Sequence, residues 1–225
     1  MIDLYWGSGS PYCWRVLLAL EHKRLEYVSH QLQFSRQEHK APHIVAMNPR
    51  GRLPILKHDD YVVFESVAVL HYLDLKYPEP PIFGRTPEEA GVIVRVICEF
   101  EAYAQEHLAK ITRALFGAGV GEDNVGELTR AMLVVASEAR TIEGRLSKGD
   151  WIVGDAYSAA DMVIYPAIMV LLRALQRPGA EVLASRFMPV AVNYPSLARW
   201  LDRVAALPGY EKTYPPHWLA SARHG

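Results

Sequence analysis

Apolar residues recur along the chain with two periods, and the change of period divides it. "IDLYW" at residues 2–6 is an apolar run of strand length, and Trp14, Leu17 and Leu18 then repeat at helical spacing. Residues 27–32, "YVSHQL", read as a second strand and complete a β-α-β unit. Further on, "LPILK" and "YVVF" flank His58, Asp59 and Asp60, a turn-prone triplet that predicts a hairpin. Val69, Leu70, Leu73 and Tyr77 mark the next helix. The expected order is β-α-β-α-β-β-α.

The stretch "YPEPPIFGRTPEE" interrupts this pattern, because prolines at 78, 80, 81 and 87 continue neither a helix nor a central strand. A domain boundary is expected there, with a first domain over residues 1–77, a linker over 78–87 and a second domain over 88–225. In the second domain Ile93, Ile97, Phe100, Ala104, Ile111 and Leu115 hold one helical stripe, and Leu128, Met132, Val135, Ile142 and Leu146 hold another. Ser158 followed by Asp161 forms a capping box, with Tyr157 and Met162 placed as a hydrophobic staple. Leu197, Trp200, Leu201 and Val204 give a last helix, and the tail beyond is broken by Pro215 and Pro216. The fold class is α/β followed by all-α.

Composition narrows the partners. Half of the 225 residues are hydrophobic, enough for a sizeable core, and a net charge of −1 supplies no basic field for nucleic acid or an anionic membrane. The most apolar tract, residues 162–172, is too short for a bilayer. Two cysteines, Cys13 and Cys98, suit a reducing compartment, and the first residues carry no basic, then apolar, export signal. A cytoplasmic protein is expected.

The candidate chemistry begins at "GSGSPYCWRVLLAL". Ser10 and Pro11 occupy helix cap and first-turn positions, which also puts a hydroxyl at the positive helix end, where an anion such as a thiolate settles. Two glycines without the third of a dinucleotide fingerprint argue against a nicotinamide site. Ser-Pro-Tyr-Cys resembles the Cys-Pro-Tyr-Cys turn of glutaredoxins with serine in place of the first cysteine. With the order of elements, it makes the chain similar to the cytosolic glutathione transferases over nearly its whole length. That resemblance implies a thioredoxin-like N-terminal domain and a helical-bundle C-terminal domain.

Three segments add to the resemblance. "NPRGRLPIL" looks like the family's Asn-Pro turn with a cis proline, here Pro54, after which Leu53 offers its backbone to the peptide of glutathione. "FESVAVLHYL" resembles the Glu-Ser element, in which Ser66 holds the γ-glutamyl carboxylate and Glu65 faces the ammonium. The Ser158 box matches the start of the core C-terminal helix. The resemblance implies that Ser10 donates to a thiol supplied by glutathione, a cosubstrate, with no metal or redox cofactor. It further implies small hydrophobic electrophiles as partners and a homodimer.

His39 stands where relatives reach the glycine carboxylate, and Arg52 where a polar residue touches glutathione; both also fit an exposed surface role. His39 and His43 at i, i+4 lack a third metal ligand. The electrophile pocket is expected at Tyr12, Tyr103, His107 and Trp218, the middle two placed on one helix face by their spacing. Trp14 and Arg15 resemble the zeta class, His39 and Glu-Ser the theta and delta classes. The alternatives are a glutathione-dependent dehalogenase or zeta-like isomerase, a thiol-disulfide oxidoreductase using Cys13, and a non-enzymatic binding protein.

Overall fold

The computed structural model describes residues 1–218, which divide into two compact units: Met1–Phe83 together with the chain from Leu207 onward, and Gly84–Ala206. In the first unit β1 (Ile2–Trp6) pairs in parallel with β2 (Val28–Gln31) and antiparallel with β3 (Ile55–His58), which pairs with β4 (Tyr61–Phe64). The sheet order is therefore β2-β1-β3-β4. Parallel pairing demands a crossover, and α1 (Pro11–His22) supplies it. Ile2, Leu4 and Trp6 are buried while Asp3 and Tyr5 are half-exposed, the alternation of a strand packed on one face. α2 (Pro42–Met47) follows two short 3-10 turns, and α3 (Ser66–Lys76) follows the hairpin. The expected β-α-β-α-β-β-α order is what forms.

The hairpin turn is tighter than the sequence suggests. His58 pairs with Tyr61 inside the ladder, so only Asp59 and Asp60 turn, and Asp59 takes a φ of 53° that aspartate tolerates better than most residues. The proline-rich stretch is bound to the first unit as far as Phe83. Buried Lys23, the residue that caps the end of α1, donates its Nζ to Asp74 of α3 at 2.8 Å and to the carbonyls of Tyr77 and Pro80 at 2.7 and 2.6 Å. Asp74 in turn accepts from the N–H groups of Ile82 and Phe83.

Residues 207–218, expected in the second domain, group with the first unit. α11 (Tyr210–Thr213) and the residues up to Trp218 pack on α1. The cause is Trp14, a buried indole that requires a hydrogen-bond acceptor: its Nε1 donates to Thr213 Oγ1 at 2.9 Å. The rings of Tyr214 and Trp218 meet it edge-on at 5.8 and 5.5 Å, and Lys212 pairs with Glu21 at 3.3 Å. Residues 207–218 therefore extend the first unit's core.

The second unit is helical. α4 (Pro87–Tyr103) is capped by Thr86, whose hydroxyl accepts from Glu89 N–H. The first apolar stripe is all buried, yet it is carried by two helices, because the chain leaves α-helix at Ala104 and resumes as α5 (Gln105–Phe116). α6 (Val125–Leu146) carries the second stripe, and the short α8 (Glu181–Ala184) and α9 (Val190–Asn193) precede α10 (Pro195–Ala205). Of the 17 residues of α7 (Ala159–Leu175) 14 are buried, so this helix is the unit's centre.

The capping box at its start forms as expected. Asp161 Oδ2 accepts from Ser158 N–H at 2.9 Å and from its hydroxyl at 3.0 Å, while Oδ1 accepts from Ile152 N–H and Trp200 Nε1. At α10 the start is closed from another helix: Glu143 of α6 accepts the N–H groups of Ser196 and Leu197 at 2.9 and 2.8 Å.

Candidate functional site

The start of α1 is shaped by a serine, a proline and two glycines. Ser10 is the extended cap residue, its Oγ accepts from Cys13 N–H at 3.3 Å, and Pro11 opens the helix without an N–H to satisfy. No acidic residue lies in the first turn, and Ser10 is only half-buried. Four N–H groups at a helix start lack intrahelical carbonyls and together carry about half a positive charge. Ser10 thus presents a hydroxyl beside a helix end that no acidic residue of its own first turn neutralises. Cys13 lies beneath it with no exposed surface, and burial pushes its thiol up to about 11, against the lowering effects of Ser10 and the Gly7 N–H. Burial thus keeps Cys13 away from a disulfide partner and favours its neutral thiol.

α3 begins in an equally open way. Glu65 at the cap position is exposed, takes a φ of 67° and makes no side-chain cap bond. Ser66 is buried, and its Oγ accepts from Arg15 Nη1 at 3.2 Å. Arg15 is fully buried on α1, with its guanidinium carbon 4.7 Å from the Tyr12 ring centre. In the sequence Arg15 stands out only as part of the Trp14-Arg15 pair. The available signal was a lone cation inside the apolar run "CWRVLLAL", since a buried arginine has to be paired. Through Arg15 the starts of α1 and α3 are joined.

The loop before β3 carries the remaining residues expected from the sequence. The Leu53-Pro54 peptide is cis, as the resemblance implies. Asn48 fixes the loop by donating Nδ2 to the Arg52 carbonyl at 2.9 Å and accepting from Arg50 N–H at 3.2 Å. Among the described residues the N–H and C=O of Leu53 engage no other backbone group. Arg52 is exposed. His39 is half-buried against Phe34, ring centres 5.2 Å apart, and its buried Nδ1 has no hydrogen-bond partner among the described residues. Burial, and then the charge of Lys40, lower the pKa of His39. A Cβ at Gly51 would lie 3.2 Å from the His39 carbonyl, so this histidine borders the same loop.

The four expected electrophile contacts are divided. Tyr12, 38% exposed, and Trp218, 5% exposed, belong to the first unit, and Tyr103 and His107 to the second. Tyr103 is the last residue of α4 and His107 lies in the first turn of α5, on either side of the break at Ala104. A cavity of about 520 Å³ within the second unit, lined by Val92, Arg145, Lys148 and Ile152 among others, includes none of the residues singled out from the sequence.

A mixed four-stranded sheet with this helix order, a cis proline before its third strand and an all-helical second unit define a thioredoxin-like domain joined to a helical one. Residues 9–76 match the family model "Glutathione S-transferase, N-terminal domain", and residues 122–208 match "Glutathione S-transferase, C-terminal domain". The chain is 30% identical over 225 residues to glutathione S-transferase A of the fish Pleuronectes platessa, covering 98% of this chain and 94% of that one. It is 28% identical to maleylacetoacetate isomerase of Pseudomonas aeruginosa, over 94% and 93% of the two chains. Among solved structures, a glutathione S-transferase from the Antarctic clam Laternula elliptica superposes with a TM-score of 0.81 at 26% identity, covering 97% of this chain and 94% of the other. The chain belongs to the glutathione S-transferase family and is an enzyme of that family. Among the described residues no helix is long and apolar enough to cross a membrane.

Proposed function

We propose that this transferase uses the Ser10 hydroxyl to stabilise the thiolate of bound glutathione for attack on small hydrophobic electrophiles. The observation that carries this reading is the start of α1: a half-buried serine hydroxyl at a helix end with no acidic residue in its first turn. A free thiol with a pKa near 8.5 is only about 3% ionised at pH 7, and each unit of lowering is worth about 1.4 kcal/mol. A hydroxyl donor and a helix N-terminus both favour the charged form, whereas serine is too weak a base to remove the proton. Leu53 would pair with the peptide backbone of glutathione, Ser66 with its γ-glutamyl carboxylate, Glu65 with its ammonium, and His39 and Arg52 with the glycine end.

Thiol consumption measured over a panel of electrophiles tests this reading. Ser10→Ala should lose about tenfold or more in turnover at pH 7, while Cys13→Ser should stay within about twofold of the parent because the nucleophile belongs to glutathione. An inactive Cys13→Ser enzyme with unimpaired Ser10→Ala would overturn it. The similarity to maleylacetoacetate isomerase supports a second reading, isomerisation of that substrate with glutathione, which a direct assay decides. A homodimer in the cytoplasm is the assembly proposed, checked by sedimentation.

A further inference from the structure

We propose that His217 is a positioning residue for Ser10, clamping the turn that carries the serine hydroxyl; the proposal rests on the serine reading above. The turn over residues 7–10 is held internally by one bond, from Ser10 N–H to the Gly7 carbonyl at 3.3 Å, and Gly9 takes a φ of 82°. Two glycines around one serine leave such a turn mobile unless something outside fixes it. On one side the Phe34 ring fills the space above Gly7, where a Cβ would come within 2.2 Å of it. On the other side stands His217: its Nδ1 is hydrogen-bonded to Ser8 Oγ at 2.7 Å, and its Cε1 lies 2.9 Å from where a Gly9 Cβ would be.

The histidine is itself firmly based. Its neighbour Trp218 is buried against Trp14 and Tyr214, Trp218 N–H donates to the Pro215 carbonyl at 2.9 Å, and Thr213 holds the Trp14 indole. Trp14 is four residues after Ser10, and its N–H makes the first backbone bond of the helix to the Ser10 carbonyl at 3.0 Å. Residues 213–218 therefore grip both sides of the serine, the turn before it and the helix after it. The bond to Ser8 is exposed to solvent, where a hydrogen bond adds little to stability. Its consequence lies instead in geometry, because thiol activation depends sharply on where the donor stands.

The test compares His217→Phe, which keeps a ring without the bond, with His217→Asn, which keeps a polar atom near the Nδ1 position, and with Ser8→Ala. With a reactive electrophile, His217→Phe should lower kcat about fivefold, with the KM for glutathione within about twofold because the loop and α3 contacts are untouched. His217→Asn should recover most of the loss. Ser8→Ala should reproduce it, and the Ser8→Ala, His217→Phe double variant should lose no more than either single one. An unchanged kcat in His217→Phe, or losses that multiply in the double variant, would overturn the clamp. Ser10→Ala measured alongside separates the two claims: if it too leaves kcat unchanged, the serine reading fails and takes the clamp with it, whereas a loss confined to Ser10→Ala removes the clamp alone.

Discussion

Ser10 and Ser158 both cap helices, and the difference between their surroundings separates an open helix start from a closed one. At Ser158 the helix start is buried and closed by Asp161, a carboxylate of its own first turn that gathers four donors. At Ser10 the start is half-exposed and no acidic residue stands in the first turn. The contrast extends through the two units. Each described helix of eight or more residues in the second unit meets a carboxylate at its start: Glu88 and Glu89, Glu106, Glu127 and Asp161 from within, and Glu143 from α6 at α10. α1 and α3 in the first unit have none in the first turn, and Glu65 at the α3 cap makes no cap bond. A helix end already neutralised by its own chain has little left for a ligand. Two ends without that neutralisation, joined through Arg15, are those to which the proposed function assigns the thiolate and the γ-glutamyl carboxylate of glutathione.

The largest effect should come from opening a closed start. Asp161→Ala leaves the Ile152 and Ser158 N–H groups and the Trp200 indole without their acceptor, which should cost on the order of 3–5 kcal/mol in urea unfolding. A loss below about 1 kcal/mol would mean that the box is not a structural joint. Asp161 also carries a pH signature. Burial pushes its carboxyl from 3.8 to about 6, so between those values the folded chain keeps a proton that the unfolded chain has released. Its contribution to stability therefore falls as pH rises through that window and is flat above it. Asp161→Asn should remove that slope from the stability profile.

Next in size is the open start of α3. Ser66→Ala removes the hydroxyl proposed to meet a carboxylate and should weaken glutathione binding about tenfold in calorimetry, the worth of one charge-assisted bond. Unchanged affinity would leave Ser66 as Arg15's acceptor and nothing more. A smaller effect, with opposite signs in two assays, should follow from closing the open start of α1. Tyr12→Glu supplies the missing first-turn carboxylate, so thermal stability should rise by about 0.3–1 kcal/mol while conjugation slows. If both fall together, the open end has no cost and the comparison loses its meaning. The smallest perturbation is a labelling count: of the two cysteines, exposed Cys98 should react with a disulfide reagent in the native protein and buried Cys13 only after unfolding.

Much of this comparison was legible in the residues. The switch from period two to period 3.6 marks the strands and helices, and the Ser158 to Asp161 spacing specifies the closed start, because both are local patterns. The break at Ala104 is not legible, since the apolar stripe runs on in phase across it from Phe100 to Ile111. The destination of the tail is hidden for a different reason. Its prolines read as an ending, and the indole that anchors it, Trp14, lies about two hundred residues earlier. Arg15 was visible as a charge in an apolar run, but its acceptor Ser66 is on another helix. The positive φ of Glu65 leaves no trace in sequence, as glutamate gives no reason to expect it.

The most direct measurement is the pKa of glutathione's thiol in the complex, followed by the ultraviolet absorbance of the thiolate as pH is varied, in the parent enzyme and in Ser10→Ala. The parent should hold the bound thiol below the value near 8.5 of a free thiol, and the variant should raise it by about one unit or more at nearly unchanged glutathione affinity. The lost cap should cost only about 1 kcal/mol of stability. The same thiolate titration in both proteins would contradict the account, leaving Ser10 with the structural role that Ser158 has and nothing further.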